Sequence, residues 1–405
     1  MPSLVPVTTN RIGSHLPLLQ LLPADAQYSW VRGGDGLVGW GEYASITVKG
    51  RDRFDQVRTW WHQQLETFSI SNAVHGSGTG PVLFTSFSFD RNEESVAVIP
   101  RVIVGKKGEN SWITWIGDGA QPPVIDTAPD YAQQIFQWQQ GTLTEQQWES
   151  RVAQAIAKID KSEIEKVVLA RDLIATTEAG IDVRPILNKL SDNYPATWVF
   201  SVNGLIGATP ELLLRLSRGM VTSRVLAGTI PKTGDDARDL ALAGSLARSS
   251  KDLEEHEYAV RSVAEALEPF CSSTNVPDAP FVLHLANVMH LATDVTGALL
   301  ESAHHIDAFA LLKSLHPSAA VCGTPRNIAF DVIDEIEGMN RGRYAGPVGW
   351  IDARGDGELG IALRSGQVTE NEIRIFAGCG IVAGSDPVVE LAESSAKFSA
   401  MKSAL

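Results

Sequence analysis

The C-terminal half of the chain contains a series of short apolar segments with the length and composition of β-strands. They are KVVLARDL (166–173), WVFSV (198–202), ELLLRL (211–216), PVGWI (347–351), ELGIAL (358–363) and IRIFAG (373–378). Glycine and other turn residues separate several of them. We therefore predict an α/β protein of the α+β type, with a large, mainly antiparallel sheet flanked by helices.

Three helices are predicted from capping residues and apolar periodicity. A capping box opens a helix over 144–160, and a second helix runs from about 250 to 268. A third begins near 387, where Asp386 can serve as N-cap and Pro387 suits the first helical position. The last two helices matter most, because both carry closely spaced carboxylates.

Eight of the ten tryptophans lie before residue 150, which predicts a packed N-terminal part rather than a flexible tail. We treat 1–143 and 144–405 as two parts of one structural unit. The formal net charge of −14 argues against nucleic acid or anionic lipid as a partner, since both need a basic face. An anionic substrate would therefore need a local positive site.

The three cysteines, Cys271, Cys322 and Cys379, are far apart and include no CxxC pair. This pattern fits neither a disulfide framework nor a zinc site, and it favours a reduced cytoplasm. No apolar run of about 18 or more residues occurs, so we expect no membrane span.

Two carboxylate pairs have i, i+3 spacing, which places each pair on one helix face. They are Asp252 with Glu255 and Glu390 with Glu393, and Lys397 follows one turn after the second pair. Brought together, the two faces would suit a hard cation such as Mg²⁺. Such pairs are also common on solvated helices, so spacing alone leaves both interpretations open.

Ten motifs occur in an order that narrows these alternatives. They are KVVLAR (166–171), GATPELLLR (207–215), LAGTIPK (226–232), KDLEEHEYAV (251–260), MHLAT (289–293), HPSAAVCGTP (316–325), YAGPVGW (344–350), IALR (361–364), AGCGIV (377–382) and ELAESSAKFSAM (390–401). Together they resemble the chorismate-binding family of anthranilate, aminodeoxychorismate, salicylate and isochorismate synthases. The match covers roughly 145–402. The N-terminal part matches more loosely, through 34–42 and 86–90.

The resemblance implies a large antiparallel sheet split over two subdomains, with the site between them. It implies chorismate as substrate and Mg²⁺ as cofactor, held directly by Glu255 and Glu393. Asp252 and Glu390 would not touch the cation but would interact with it through water molecules.

Chorismate carries two carboxylates, and the matched residues would supply positive groups for both. Mg²⁺ would take the ring carboxylate, helped by Lys397 and by amides of a glycine turn at Gly378 and Gly380. Arg364, at the end of a strand, would clamp the enolpyruvyl carboxylate beside the Tyr344 hydroxyl. Further pocket residues are expected to be Thr229, His290, Ala320 and Val321.

Lys166 and Glu211 are the expected catalytic pair. The ammonia-using relatives resemble one another in having Gln where this chain has Lys166. A neutral Lys166, favoured by burial and a nearby cation, could take a proton from water that attacks C2. Glu211, kept protonated by burial, could donate to the leaving C4 hydroxyl. We therefore expect an isomerase that forms isochorismate.

Several alternatives stay open. Aminodeoxychorismate synthases resemble one another in having a lysine, used as a covalent nucleophile, where this chain has Ala227. Alanine cannot act as a nucleophile. Salicylate synthases share the Lys, Glu and metal residues and then eliminate pyruvate, while a catalytically dead relative would bind without turnover. We expect a monomer with no glutamine amidotransferase subunit. The sequence leaves open whether the product feeds menaquinone or a siderophore.

Overall fold

The computed structural model describes residues 4–13, 17–25, 27–118, 131, 134–300 and 306–405. The strands are β1 (Val5–Ile12), β2 (Gln27–Arg32), β3 (Asp35–Val48), β4 (Phe68–Asn72), β5 (Val82–Ser86), β6 (Ser95–Lys107), β7 (Asn110–Ile116), β8 (Gln137–Gln140), β9 (Lys166–Thr176), β10 (Trp198–Val202), β11 (Leu205–Thr209), β12 (Leu212–Ser217), β13 (Met220–Pro231), β14 (Cys271–Asn275), β15 (Phe281–His284), β16 (Val288–Leu299), β17 (Gly323–Thr324), β18 (Pro347–Asp352), β19 (Gly357–Ile361), β20 (Ser365–Val368) and β21 (Glu372–Ile381).

Eight α-helices accompany these strands within the described ranges. They are α1 (Arg53–Glu66), α2 (Glu145–Asp160), α3 (Val183–Asn193), α4 (Asp236–Leu246), α5 (Ser250–Leu267), α6 (Ala308–Leu315), α7 (Arg326–Ile336) and α8 (Pro387–Ala404). Two short 3-10 helices cover Leu18–Leu21 and Glu268–Phe270. No helix of the described chain is long and apolar enough to cross a bilayer.

The strands form two arms that join at β6. The first arm has the order β4-β1-β7-β6-β3-β2-β10-β11-β20-β21-β9, with β8 and β17 on the far edge of β9. The second arm continues from β6 through β5, β18, β19, β12 and β13 to β16, which β14 and β15 flank. Among the described strands, only the β1–β4 pair is parallel. The predicted antiparallel sheet is thus confirmed.

The local predictions are confirmed. Each of the six predicted strands coincides with an observed strand, with ends that differ by up to three residues. The capping box is complete, since the Thr144 hydroxyl accepts from the Gln147 amide and the Gln147 side chain accepts from the Thr144 amide. The N-terminal tryptophans are packed as expected, with Trp30, Trp61 and Trp148 buried.

The two acid-bearing helices pack against different arms. Helix α5 lies on β13 and β16, and α8 lies against β21. A glycine makes close approach possible in the second arm. Gly228 forms a bulge in β13 with φ of +78°, and a Cβ there would meet the Asp252 Cβ of α5 at 3.0 Å. The fold therefore brings α5 and α8 to one seam between the arms.

The N-cap of α8 yields a test of how firmly this helix is anchored. The Asp386 carboxylate accepts from the Val388 and Val389 amides, both at 3.0 Å. Replacing Asp386 by Ala leaves these amides unpaired, so we expect the free energy of unfolding to fall by about 1 kcal/mol. Asp386→Asn, which keeps the acceptor, should retain most of this energy. Chemical denaturation measures both, and an Ala variant as stable as the parent contradicts the capping role.

Candidate active site

A narrow cavity lies where the two arms meet, and residues of both arms line it. The lining consists of Val168, Pro210, Glu211, Leu226, Ala227, Gly228, Thr229, Glu255, His290, Ala320, Val321, Arg341, Tyr344, Ala345, Leu363, Arg364, Gly378, Gly380 and Lys397. Eleven of the residues predicted from the sequence are in this set. Lys166, Asp252, Glu390 and Glu393 do not line the cavity but lie close behind residues that do.

Lys166 contacts the cavity wall through Glu255. Its side chain is fully buried, and Nζ lies 3.2 Å from the Glu255 Oε1 atom. Nζ also donates to the Glu255 backbone carbonyl at 3.4 Å. Burial acts to raise the pKa of the Glu255 carboxyl, but the charge of Lys166, helped by Lys397, outweighs burial and lowers it. Strand β9 and helix α5 are thus joined by a buried ion pair beside the cavity.

The predicted glycine turn at Gly378 and Gly380 is wrong. Both residues lie inside β21 in regular antiparallel register, opposite Ala170 and Val168 of β9, so they form no amide nest. Their small size has another cause. A Cβ on Gly380 would lie 2.1 Å from the Glu255 Oε1 atom and 3.0 Å from the Lys166 Cε atom. Glycine is needed there because the carboxylate and the lysine fill the space.

Glu211 has the environment expected of a proton donor. It immediately precedes β12 and is 4% exposed. Burial raises the pKa of Glu211 to about 8, although the charges of Lys166 and Arg364 oppose the shift. Glu211 is therefore mainly protonated at neutral pH, in the direction predicted from the sequence.

Arg364 is held at the cavity by a chain of neutral groups. Its guanidinium donates to His290 Nε2 at 2.9 Å, and His290 Nδ1 lies 3.0 Å from the Thr229 hydroxyl oxygen. Burial, reinforced by Arg364, holds the pKa of His290 well below its ordinary value. His290 is therefore neutral, and accepting at Nε2 places its proton on Nδ1. Thr229 and His290 thus orient Arg364.

The backbone around Arg364 differs from the prediction. Strand β19 ends at Ile361, and Arg364 follows in a left-handed conformation with φ of +48°, directly before β20. Tyr344 lies in the same cavity, where its ring stacks on Phe376 with centroids 5.0 Å apart. Burial raises the pKa of the Tyr344 hydroxyl to about 12, so it stays a neutral donor.

The two acidic helix faces meet, as the family resemblance implied. Glu393 Oε1 lies 2.5 Å from Lys397 Nζ, and Glu390 Oε1 lies 2.7 Å from the Lys251 Nζ atom of α5. Lys397 also donates to the Gly378 carbonyl at 2.9 Å. Burial acts to lower the pKa of Lys397, but Glu393 outweighs it and raises the pKa. A lysine of each helix, Lys251 of α5 and Lys397 of α8, thus pairs with a carboxylate of α8.

These residues fit a hard divalent cation. Ligand atoms of Cys379, Glu390 and Glu393 lie within 4.8 Å of one another. Burial raises the pKa of the Cys379 thiol well above its ordinary value, so its sulfur is uncharged at neutral pH. Magnesium prefers oxygen ligands, which the carboxylates supply. The donor set therefore suits Mg²⁺ through its carboxylates rather than through the thiol.

His256 fixes the orientation of α5 next to Glu255. Its Nδ1 lies 3.2 Å from the Ala227 carbonyl oxygen, and its Nε2 lies 2.8 Å from the Thr293 hydroxyl. Because burial lowers the pKa of His256 to about 4, the ring is neutral, donating to the carbonyl and accepting from the hydroxyl. One helix residue is thereby bonded to both β13 and β16, which holds Glu255 at the cavity.

A larger cleft of about 1260 Å³ lies elsewhere in the described chain. Its charged lining residues are Arg11, Lys107, Arg218, Arg354 and Asp356. None of the residues predicted for the site lines it. The chemistry of the side chains, rather than cavity size, identifies the smaller cavity as the candidate active site.

Sequence reasoning missed some lining residues. Most of them, including Val168, Pro210 and Leu363, lie inside the motifs that carried the family resemblance. Arg341 lies outside every motif, although it lines the cavity and is 4% exposed. Its partner Glu337 is four residues earlier, but α7 ends at Ile336, so helical i, i+4 spacing could not have predicted this ion pair.

Comparison with known proteins agrees with this geometry. The family model for chorismate binding enzymes matches residues 25–117 and 123–405. The isochorismate synthase MenF of Bacillus subtilis (strain 168) is 33% identical over 403 residues, which cover 91% of this chain and 85% of that protein. The isochorismate synthase DhbC of the same organism is 36% identical over 269 residues, covering 64% and 67% respectively.

A solved structure extends the likeness to the fold. The menaquinone-specific isochorismate synthase MenF of Escherichia coli superposes with a TM-score of 0.82 at 23% identity, covering 99% of this chain and 94% of that chain. The family match spans nearly the whole sequence, and eleven of the residues predicted for the site line the cavity. The chain belongs to the chorismate binding enzymes.

Proposed function

We propose that this chain is a magnesium-dependent isochorismate synthase, an isomerase that converts chorismate to isochorismate. The observation that carries the proposal is the pairing of Glu211, whose pKa burial raises to about 8, with the buried amine of Lys166, whose charge acts on Glu211. A protonated carboxyl and an amine in one site suit the loss of one hydroxyl and the addition of another. Ala227 offers no nucleophile for a covalent route.

The cavity has groups for both substrate carboxylates. Arg364 would bind the enolpyruvyl carboxylate, since no ion pair within the described ranges involves its guanidinium. The Tyr344 hydroxyl lines the same cavity as a further donor. Ala320 and Val321 would shape the wall against the ring. Chorismate would therefore be held at one end by Arg364 and at the other beside Glu255 and Lys397.

Glu255 and Glu393 would hold Mg²⁺, with Asp252 and Glu390 behind them. Magnesium bound there would neutralise the ring carboxylate and fix its position. Glu255 would then be shared between the cation and Lys166, whose Nζ atom lies 3.2 Å from the Glu255 Oε1 atom. The same carboxylate would thus connect the metal site to the base.

In the reaction, Lys166 takes a proton from water as the water oxygen bonds to C2 of the ring. The ring double bonds shift, the C4–oxygen bond breaks, and Glu211 gives its proton to the departing hydroxyl. Water is consumed and released once each, so the conversion is an isomerisation. Lys166 ends as the ammonium and Glu211 as the carboxylate, and a net proton transfer from Lys166 to Glu211 restores the starting states.

We further propose that the enzyme works as a monomer in the cytoplasm without a glutamine amidotransferase subunit. The described cysteines, Cys271, Cys322 and Cys379, are all free thiols, as suits a reducing compartment. A water-using reaction needs no ammonia source.

Product identification tests the proposal directly. Purified protein incubated with chorismate and Mg²⁺ should yield isochorismate, without salicylate or free pyruvate as a main product. EDTA should abolish turnover and Mg²⁺ should restore it, because the cation holds a substrate carboxylate. Glu255→Ala and Glu393→Ala should lose both activity and magnesium binding, measured by calorimetry. Stoichiometric pyruvate release would indicate a salicylate synthase, and robust turnover in EDTA would contradict the ligand assignment.

Replacing Lys166 by Gln tests the base. Glutamine keeps most of the volume but cannot take a proton, so kcat should fall on the order of 10²- to 10⁴-fold. Chorismate binding, measured by calorimetry, should stay largely intact because Lys166 does not line the cavity. Lys158→Gln serves as control, since Lys158 pairs with Glu335 on the surface. A Lys166→Gln variant with the parental rate would remove Lys166 from this role.

The pH dependence of kcat tests the acid. Glu211 donates only when protonated, which holds below its pKa of about 8, so kcat should fall as the pH rises through 8. Glu211→Gln keeps the shape without a transferable proton and should lower kcat on the order of 10²-fold or more at pH 7. If Glu211→Gln retained the parental rate and the same alkaline decline, another group would be the acid.

A further inference from the structure

Arg341 forms a buried set of hydrogen bonds that reaches two adjoining segments of the cavity lining. Its guanidinium binds Glu337 through two bonds of 2.7 and 2.6 Å. The same group donates to the Val168 carbonyl at 2.7 Å and to the Val321 carbonyl at 2.9 Å. Val168 and Val321 both line the cavity, one from β9 and the other from the loop before β17.

The ion pair occupies a gap in the sheet at the outer edge of β9. Strand β8 pairs with the end of β9 at 173–176, and β17 pairs only with 166–167. Between them, the Ala170 amide donates to the Glu337 carboxylate at 2.8 Å, and the Val168 carbonyl accepts from Arg341. Side chains therefore take the place of a neighbouring strand for the Val168 carbonyl and the Ala170 amide.

The planar shape of the Arg341 guanidinium lets it bind two backbone carbonyls at once. This group directs donors to two carbonyls at fixed angles, which a single ammonium group could not do. The ring of Phe89 covers the guanidinium, whose carbon lies 4.2 Å from the ring centroid. The side chains of Arg341 and Glu337 are each 2% exposed, so water does not compete for these hydrogen bonds. The Val168 amide also donates to the Cys322 carbonyl at 2.8 Å, so Arg341 reinforces a direct backbone contact between β9 and the segment of Val321.

We propose that Arg341, held by Glu337, is a positioning residue that fixes the adjoining segments of Val168 and Val321 in the lining of the substrate cavity. The inference rests on the proposed function, since it assigns the substrate ring to the cavity that these two residues line. Arg341 acts through the two backbone carbonyls and needs no contact with the reacting atoms. Loosening it would let the two lining segments shift, which would weaken their contact with the bound ring.

The test compares Arg341→Lys with a matched control. Lysine keeps the charge beside Glu337 but cannot hold both carbonyls, so KM for chorismate should rise on the order of tenfold. KM does not depend on how much of the protein is folded, so simple destabilisation would leave it unchanged. The control is Arg224→Lys, because Arg224 makes a similar two-bond pair with Asp294 outside the cavity. Its KM should stay parental.

A second variant guards against misfolding of the first. Glu337→Gln combined with Arg341→Met replaces the buried pair by neutral side chains of similar length, an exchange that proteins often tolerate. KM should rise here as well, since both bonds to the carbonyls are lost. Parental KM values in every folded variant overturn the proposal and assign the pair a stabilising role alone.

Hydrogen exchange separates this proposal from the proposed function. Exchange of the amides at 168–170 needs no turnover and should be faster in Arg341→Lys, but not in Arg224→Lys. A parent enzyme that makes no isochorismate contradicts the proposed function and leaves this measurement intact. If the amides at 168–170 exchange at the parental rate in Arg341→Lys, the positioning role of Arg341 is overturned, whatever reaction the parent enzyme catalyses.

Discussion

The contact between Lys166 and Glu255 is the constraint on which the rest of the site depends. It joins β9 of one arm to α5 of the other, and neither partner is exposed enough for water to compensate its charge. Gly380 has to lack a side chain because the pair fills the adjacent space. His256 and Gly228 hold α5 close to the second arm, so that Glu255 can reach the lysine. The contact between Lys166 and Glu255 therefore explains why these particular residues stand at positions 228, 256 and 380.

The environments of Glu211 and Glu255 shift the pKa values of the two carboxyls in opposite directions. Glu255 has Lys166 in direct contact, and its pKa is lowered although it is buried. Glu211 has cations only at a distance, so burial dominates and raises its pKa to about 8. Two carboxyls that line one cavity are therefore an anion and an acid at the same pH. The fold achieves this by the placement of one ammonium group rather than by a difference in residue type.

Sequence reasoning succeeded where the signal is local and failed where it depends on distant contacts. Capping residues such as Thr144 and Asp386 act within one helical turn, and the helix starts were predicted correctly. The glycines of AGCG were interpreted as a turn because glycine favours turns, whereas Gly380 is required by a carboxylate 125 residues earlier in the chain. Arg341 was missed for the same reason, since its carbonyl partners lie on β9 and a separate loop. Such requirements appear only when the strands are assembled.

The charge balance explains how a protein with a net charge of −14 can hold a dianion. Lys397 and Arg341 line the cavity, but each already has a carboxylate partner, Glu393 or Glu337. Arg364 is oriented by neutral His290 instead, which leaves its charge for a substrate carboxylate. At the other end, the carboxylates of Asp252, Glu255, Glu390 and Glu393 outnumber the ammonium groups of Lys166, Lys251 and Lys397 by four to three. A second substrate carboxylate would be repelled there unless a divalent cation joined it, which supports the magnesium site proposed above.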